Sequence, residues 1–263
     1  MREKPMDGIQ AFLGELDGPV RERVASLHAM RFSDRLRRKD PTLWKDEPEH
    51  RKVISSSLGW VDVVGKMEEN LQGLADFASE LRGAGFTHVV HMGMGGSSLA
   101  PLAFLETFGA SGNGLALTVL DTTDPATVLD VKDRVPLEKT LFIEASKSGS
   151  TVESRSFGEY FYKQLQEIKG EKAGDHFAVI TDPGSMLMKL AQDRSYRRIF
   201  LNYSDIGGRY SALSYFGLVP AALMGMDVRK LLDSARRMVD ACAPEVPTAE
   251  NPGVYMGAVM GEL

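Results

Sequence analysis

Phe142-Ile143-Glu144-Ala145-Ser146-Lys147-Ser148-Gly149-Ser150-Thr151 is the stretch that decides the fold, because an apolar run enters a hydroxyl-rich loop and a helical pattern follows. Such a strand–loop–helix turn brings unpaired backbone N–H groups and a positive helix end to one point. Gly149 allows close backbone approach, and Lys147 is predicted to be solvated. We therefore predict a phosphate-holding loop, with ordinary N-capping of the helix as the alternative. Its four hydroxyls belong to Ser146, Ser148, Ser150 and Thr151.

After Gly83 the chain alternates short apolar runs with helical stretches. This alternation is typical of a parallel sheet with helices on both faces, so we predict an α/β three-layer sandwich. Ligands of such sheets bind at the carboxyl ends of the strands. The five predicted strands are Thr87–Met92, Leu115–Leu120, Thr140–Ala145, His176–Ile180 and Arg198–Leu201. The helices predicted between them are Leu99–Thr107, Ala126–Val131, Val152–Ile168 and Ser185–Asp193.

Helical patterns occupy both ends of the chain. Gly8–Arg38 has apolar residues at helical spacing until Asp40-Pro41 interrupts it, and Trp60–Leu81 is predicted as a second long helix. Asn251-Pro252 begins a last helix that reaches the final residue, so we expect the chain to continue within a longer protein. The predicted parts are an N-terminal helical segment, an α/β domain and a helical extension toward a missing second domain, at residues 1–80, 81–225 and 226–263.

A second glycine-rich loop, Gly93-Met94-Gly95-Gly96-Ser97-Ser98, follows the first predicted strand. It is similar to the start of a dinucleotide-binding fingerprint, but Ser98 stands where that fingerprint has its last glycine. Asp121 ends the second strand, where a ribose would bind. A nicotinamide cofactor is therefore an open alternative. The hydroxyl loop makes it weaker, because a dinucleotide-binding domain needs only the glycine-rich loop.

A third segment, Asp205-Ile206-Gly207-Gly208-Arg209-Tyr210-Ser211, follows the fifth predicted strand. Its two glycines let the backbone turn so that Arg209 can point into a cleft and stabilise a developing oxyanion such as an enediolate. A surface arginine on a flexible turn is the alternative. Glu153 lies in the first turn of the helix after the hydroxyl loop, where it either complements the helix dipole or reaches into the site.

Composition restricts the class of protein. The 263 residues are 43% hydrophobic, which is enough for a sizeable core, and the net charge of -5 disfavours a nucleic-acid surface. An apolar run of about 18 residues, which a membrane span requires, is missing from the sequence. The sequence has a single cysteine, Cys242, which is predicted to be a small buried residue. A single cysteine fits a reducing compartment, so the cytoplasm is expected. The five histidines show no metal-binding spacing, so we expect no metal.

Together the three segments resemble the phosphoglucose isomerase family of sugar-isomerase (SIS) domains. The resemblance rests on Gly93–Pro101, Ser146–Ser154 and Gly207–Ala222, and covers roughly residue 55 to the end. It implies a flavodoxin-like SIS fold, a sugar-phosphate ligand and no cofactor. It also implies aldose–ketose isomerisation of glucose 6-phosphate and fructose 6-phosphate through a cis-enediol, a step of glycolysis and gluconeogenesis. Asp40–Trp44 and Leu58-Gly59-Trp60 are similar to the isomerase half of bacterial transaldolase–isomerase fusions.

The resemblance also implies roles for particular residues. Arg209 would stabilise the cis-enediolate, and Glu153 would support the ring-opening histidine. The family's base, histidine and lysine have no match that we can place, so we expect this chain to bind the phosphate end with little turnover. In the intact protein the family implies a homodimer. The substrate-binding residues implied are Gly96, Ser97, Ser146, Ser148, Thr151, Ser154 and Gly208.

Two other classes of function fit the same sequence. One is a non-catalytic sugar-phosphate sensor built on the same fold. The other, less favoured, is a nicotinamide-dependent dehydrogenase. A membrane or nucleic-acid partner is not expected for any of the three.

Overall fold

The computed structural model of the protein describes residues 12–263, which form two compact units. One unit combines the described residues up to Val61 with Asp233–Leu263, and the other is Asp62–Leu232. The three parts predicted from the sequence, residues 1–80, 81–225 and 226–263, differ from these two units. The three-part division stays a prediction.

The unit Asp62–Leu232 contains one sheet, in the order β2-β1-β3-β4-β5, and all of its strand pairs are parallel. This confirms the predicted α/β fold and the five-stranded parallel sheet. The order reverses between β1 and β3, as in flavodoxin-like sheets. The strands are β1 (His88–Gly93), β2 (Ala116–Leu120), β3 (Thr140–Ala145), β4 (Phe177–Thr181) and β5 (Arg198–Leu201).

Twelve α-helices lie within the described residues. In chain order they are α1 (Asp17–Ala29), α2 (Phe32–Arg37), α3 (Pro48–Ser55), α4 (Val63–Glu68), α5 (Leu71–Gly83), α6 (Leu99–Phe108), α7 (Pro125–Arg134), α8 (Val152–Lys169), α9 (Met186–Asp193), α10 (Tyr215–Leu223), α11 (Val228–Ala241) and α12 (Pro252–Glu262). None of these helices is long and apolar enough to cross a membrane.

Helices cover both faces of the sheet, so the unit has three layers. Helices α7, α8 and α9 pack on one face, where Phe142 of β3 stacks on Phe161 and Phe177 with ring centroids 4.6 and 5.4 Å apart. Helix α5 packs on the other face, where Phe77 meets Phe200 of β5 edge-on at 5.2 Å. Strands buried on both faces explain the nearly continuous apolar runs of the sequence.

The long helix predicted for Trp60–Leu81 is wrong, because the structure divides it into α4 and α5. Between them the Asn70 side chain donates to the Lys66 carbonyl at 2.7 Å and ends the first helix. The helix predicted for Gly8–Arg38 is likewise divided into α1 and α2, at Arg31, which has a φ of 54°. Residues 8–11 of that prediction lie outside the described residues.

In the other unit, the last helix begins as predicted after Asn251, whose Oδ1 accepts from the Val254 amide at 3.1 Å. Helix α12 packs against α1, and Arg23 pairs with Glu262 at 2.6 Å. Cys242 is half-buried at the end of α11, and its burial raises the pKa of the thiol. A raised pKa leaves less thiolate at neutral pH, which agrees with a structural cysteine.

Glu144 is a carboxyl group inside the sheet core. It is 1% exposed and lies against Gly158 of α8, where a Cβ would come within 2.3 Å of the carboxyl group. Burial raises the pKa of Glu144 to about 7, although the Tyr196 hydroxyl donates to its Oε1 at 2.8 Å and opposes the rise. Below that pH the group is mainly neutral, which suits its apolar surroundings.

We predict that Glu144 makes stability depend on pH. Its folded pKa lies above the unfolded value, so its contribution to the free energy of unfolding is full below about pH 4.5 and is lost as pH rises through about 7. Glu144→Gln keeps an acceptor for Tyr196 and cannot titrate. Between pH 4.5 and 7.5 the variant should gain on the order of 3 kcal/mol relative to the native chain. Urea unfolding at several pH values measures this difference, with exposed Glu171→Gln as the control. A difference that does not vary with pH contradicts the prediction.

Candidate active site

The register of the sheet brings two loops to the same edge. Gly93 at the end of β1 is opposite Ala145 at the end of β3, so the glycine-rich loop and the hydroxyl loop leave adjacent strands at one level. This is the point where the strand order reverses, which is where ligands of such sheets bind.

Hydrogen bonds within the hydroxyl loop leave the start of α8 uncapped. The Thr151 side chain stands at the N-cap but makes no capping bond, because its hydroxyl lies 3.0 Å from the Ser146 hydroxyl. Ser146 Oγ also accepts from the Gly149 amide at 3.2 Å. The first amides of α8 therefore lack a side-chain acceptor, and together with the helix dipole they suit an anion.

Gly149 is required by the shape of this loop. Its φ is 68°, and an added Cβ would lie 2.7 Å from the Leu187 amide nitrogen of α9. Ser148, just before it, is exposed, with its hydroxyl 2.7 Å from that of Ser150. The glycine thus presents the Ser148 hydroxyl to solvent at the mouth of the site.

The glycine-rich loop meets the turn that carries Arg209. A Cβ on Gly96 would lie 2.4 Å from the Gly208 carbonyl oxygen, so the two backbones are in close contact. The Ser211 hydroxyl donates to the carbonyl oxygens of Gly96 and Gly208, at 2.8 and 2.7 Å. Segments 115 residues apart in the chain therefore form one wall.

His91 supports the glycine-rich loop from within the sheet. Its Nε2 donates to the Ser97 carbonyl at 2.6 Å, and the ring is fully buried. Burial lowers the pKa of His91 to about 4, so the imidazole is neutral at physiological pH. The neutral histidine therefore supports the backbone of the glycine-rich loop.

These segments enclose a cleft of about 520 Å³. Its volume lies in the range of small-molecule sites. The cleft is also lined by Asp182, Gly184 and Ser185, which follow β4 at the same edge of the sheet. Five of the residues predicted to bind substrate line it, namely Gly96, Ser97, Ser148, Thr151 and Gly208.

The other four predicted site residues lie around the cleft rather than on its wall. Ser146 is 3% exposed and supports Thr151, while Ser154 is 1% exposed with a hydroxyl that has no hydrogen-bond partner. Glu153 is half-buried in the first turn of α8. Arg209 is exposed and directly follows Gly208, which lines the cleft.

The prediction that Lys147 is solvated is wrong. Its ammonium pairs with Asp182 at 3.1 Å and donates to the carbonyl oxygens of Ser204 and Ile206, at 2.5 and 3.2 Å. The amine is therefore committed to protein partners, although the side chain is 39% exposed.

Sequence reasoning missed the turn after β4. Asp182-Pro183-Gly184-Ser185 is a recognisable turn sequence at a strand end, and this was the signal available. Ser185 Oγ accepts from the Met188 amide at 3.0 Å and caps α9. The start of α9 thus already has a side-chain acceptor, unlike that of α8.

A second cleft, of about 310 Å³, lies beside α5 and the start of α11. Arg82 and Arg229 line it, but no predicted site residue does. The start of α11 is capped, since Asp227 accepts from the Lys230 amide at 2.9 Å. Among residues 12–263, no group of three or more His, Cys, Asp and Glu side chains is placed to hold a metal ion.

The fold and the site define an α/β protein with a cleft at the carboxyl edge of a parallel sheet, beside an uncapped helix start. The phosphoglucose isomerase family model matches residues 50–261, and the chain belongs to this family. The resemblance seen in the three sequence segments is thereby confirmed.

Known proteins agree with this assignment. A glucose-6-phosphate isomerase of Acaryochloris marina is 36% identical over 240 residues, covering 90% of this chain and 42% of the relative. One of Cyanothece sp. is 34% identical over 225 residues, covering 79% and 42%. The chain thus spans less than half the length of these relatives.

Two solved structures are also similar to this chain over most of its length. A hypothetical protein of Thermus thermophilus superposes with a TM-score of 0.77 at 28% identity, over 94% of this chain and 56% of that one. A glucose-6-phosphate isomerase of Chlamydia trachomatis gives a TM-score of 0.66 at 25% identity, over 95% and 49%.

We predict that Gly96→Ala separates the two segments that form the wall. The added Cβ meets backbone atoms of Gly208, which cannot rotate away, so the free energy of unfolding should fall by about 1–3 kcal/mol. Gly73→Ala in α5 is the control, because no atom lies within 4 Å of its Cβ. That variant should be unchanged or up to about 1 kcal/mol more stable. Urea unfolding of both variants measures the effect, and equal stabilities would show that the wall tolerates a side chain.

Proposed function

We propose that the cleft binds a sugar phosphate and that the protein isomerises glucose 6-phosphate and fructose 6-phosphate. The uncapped start of α8 carries the proposal, because it offers free amides and the Ser148 and Thr151 hydroxyls to a phosphate group. Family membership supports the choice of ligand.

In the proposed complex, the phosphate lies against the hydroxyl loop and the sugar extends toward the opposite wall. Ser146 keeps Thr151 oriented through their 3.0 Å hydroxyl contact. Gly96, Ser97 and Gly208 line the sugar, and the absence of side chains on the two glycines lets the backbones approach it closely. One end of the ligand is thus held by its phosphate while the reacting carbons are positioned.

The reaction moves a proton between C2 and C1 of the open-chain sugar. A base takes the proton from C2 of the aldose, which leaves a cis-enediolate. The O2 hydroxyl proton passes to O1, and return of the carbon proton to C1 forms the ketose. The guanidinium group of Arg209 stabilises the enediolate oxygen. Glu153 supports ring opening from the first turn of α8.

In this proposal, the chain supplies the phosphate-binding half of the site. No residue in it can be assigned as the base, and it spans 42% of the length of the Acaryochloris relative. The intact protein acts as a homodimer without a cofactor. Its compartment is the cytoplasm, because a single cysteine fits a reducing environment.

We predict that the chain binds fructose 6-phosphate in preference to inorganic phosphate and to NADH. Ser148→Ala and Thr151→Ala each remove a hydroxyl from the cleft, so each should weaken binding about 5- to 20-fold, the effect of one lost hydrogen bond. Ser156→Ala is the matched control, since its hydroxyl bonds the Val152 carbonyl on the same helix. Calorimetric titration measures all four proteins.

The same titrations discriminate between the classes of function. Preferential binding of NADH would favour a nicotinamide-dependent dehydrogenase. Equal losses in all three serine and threonine variants would show that the hydroxyl loop is not the phosphate site.

We also predict that the purified chain has little or no isomerase activity. A missing general base typically costs a factor of about 10² to 10⁴ in rate. A coupled assay that detects glucose 6-phosphate formed from fructose 6-phosphate measures this. Turnover of about 1–10³ s⁻¹, usual for enzymes, would show that the chain contains a base after all. Binding without turnover, in a protein with no further domain, would instead favour the sensor.

A further inference from the structure

Lys147 joins the hydroxyl loop to the turn that carries Arg209. Its ammonium donates to the carbonyl oxygens of Ser204 and Ile206, which lie 57 and 59 residues further along the chain. Charge-assisted hydrogen bonds of this kind are stronger than those between neutral groups. The cation therefore fixes where the backbone before Gly207 can lie.

The residue is also held on its own side of the cleft. The Lys147 carbonyl accepts from the Asp182 amide at 3.1 Å and from the Thr181 hydroxyl at 3.3 Å. The Asp182 carboxylate neutralises the ammonium at 3.1 Å. With its charge paired and its donors used, Lys147 is poorly suited to bind the phosphate itself.

The far side of the turn has its own anchor. Tyr203 stacks on Tyr215 with ring centroids 6.3 Å apart, and its hydroxyl accepts from the Asn70 side chain at 3.3 Å. Ile206 is 1% exposed. The base of the turn is thus fixed in the core, and Lys147 is the contact that ties it to the hydroxyl loop.

We propose that Lys147 is a positioning residue that gives the site its preference for a sugar phosphate over a bare phosphate. It holds Gly208 and Arg209 at a set distance from the hydroxyl loop, so that one ligand contacts both. The inference rests on the proposed function, because only a ligand longer than phosphate can contact the hydroxyl loop and the turn at once. Only the affinity of such a ligand depends on the distance between them.

The double variant Lys147→Met/Asp182→Asn tests the proposal, because it removes both charges and leaves no unpaired carboxylate. Lys163→Met, on the exposed face of α8, is the matched control. In calorimetric titrations of the full chain, the affinity of the double variant for inorganic phosphate should stay within about threefold of the native value. Its affinity for fructose 6-phosphate should fall about 10- to 100-fold, as expected when one charge-assisted hydrogen bond is lost.

Hydrogen–deuterium exchange of the ligand-free proteins provides a second readout. The amides of Ile206 and Tyr210, which donate to the carbonyl oxygens of Tyr203 and Gly207 at 3.1 and 2.9 Å, should exchange at least about tenfold faster in the double variant, with those of the sheet unchanged. If that variant does not fold, both measurements are made on Lys147→Gln, whose side chain is shorter and neutral.

Two results overturn the proposal. One is an equal loss of affinity for both ligands, which would make Lys147 a phosphate contact. The other is an unchanged exchange rate at the hydrogen-bonded amides of Ile206 and Tyr210. If the native chain itself shows no preference for fructose 6-phosphate, the proposed function fails, and the exchange result alone decides whether Lys147 holds the turn.

Discussion

The site depends on the in-register pairing of β1 with β3. Because Gly93 lies opposite Ala145, two loops of different chemistry begin at the same height on adjacent parallel strands. A shift of one residue would also turn the strands' side chains to the wrong faces of a sheet that is buried on both sides. The stacked Phe142, Phe161 and Phe177 rings therefore maintain the site as well as the core.

Much of the fold was predictable because its signals are local. Strands β3 and β5 begin where predicted and the other three begin one residue later, since buried parallel strands read as short apolar runs between turns. The break between α4 and α5 was missed because apolar spacing continues across it. The side chain that ends α4, Asn70, also contacts Tyr203 and Tyr215, which are more than 130 residues away.

The candidate site was predictable to a similar degree. Glycine pairs and clustered hydroxyls indicated the loops, and their strand-end positions indicated that they meet. Neither the contact of Gly96 with Gly208 nor the ties of Lys147 could be read from the sequence, because both join segments far apart in the chain. Glu144 carried a signal that was passed over, namely an acidic residue within an apolar strand.

The chemistry of the cleft follows from the pairing of Lys147 with Asp182. A lysine on a phosphate loop would ordinarily supply positive charge, but here that charge is neutralised at 3.1 Å. In the proposed complex, recognition therefore relies on amides, hydroxyls and a helix dipole, each a weaker and more directional interaction than a free cation. In a chain with a net charge of -5, the overall charge does not add to the attraction that these local groups have for an anion. The selectivity that we propose therefore comes from geometry, which the contacts of Lys147 with the turn and the close contact of Gly96 with Gly208 preserve.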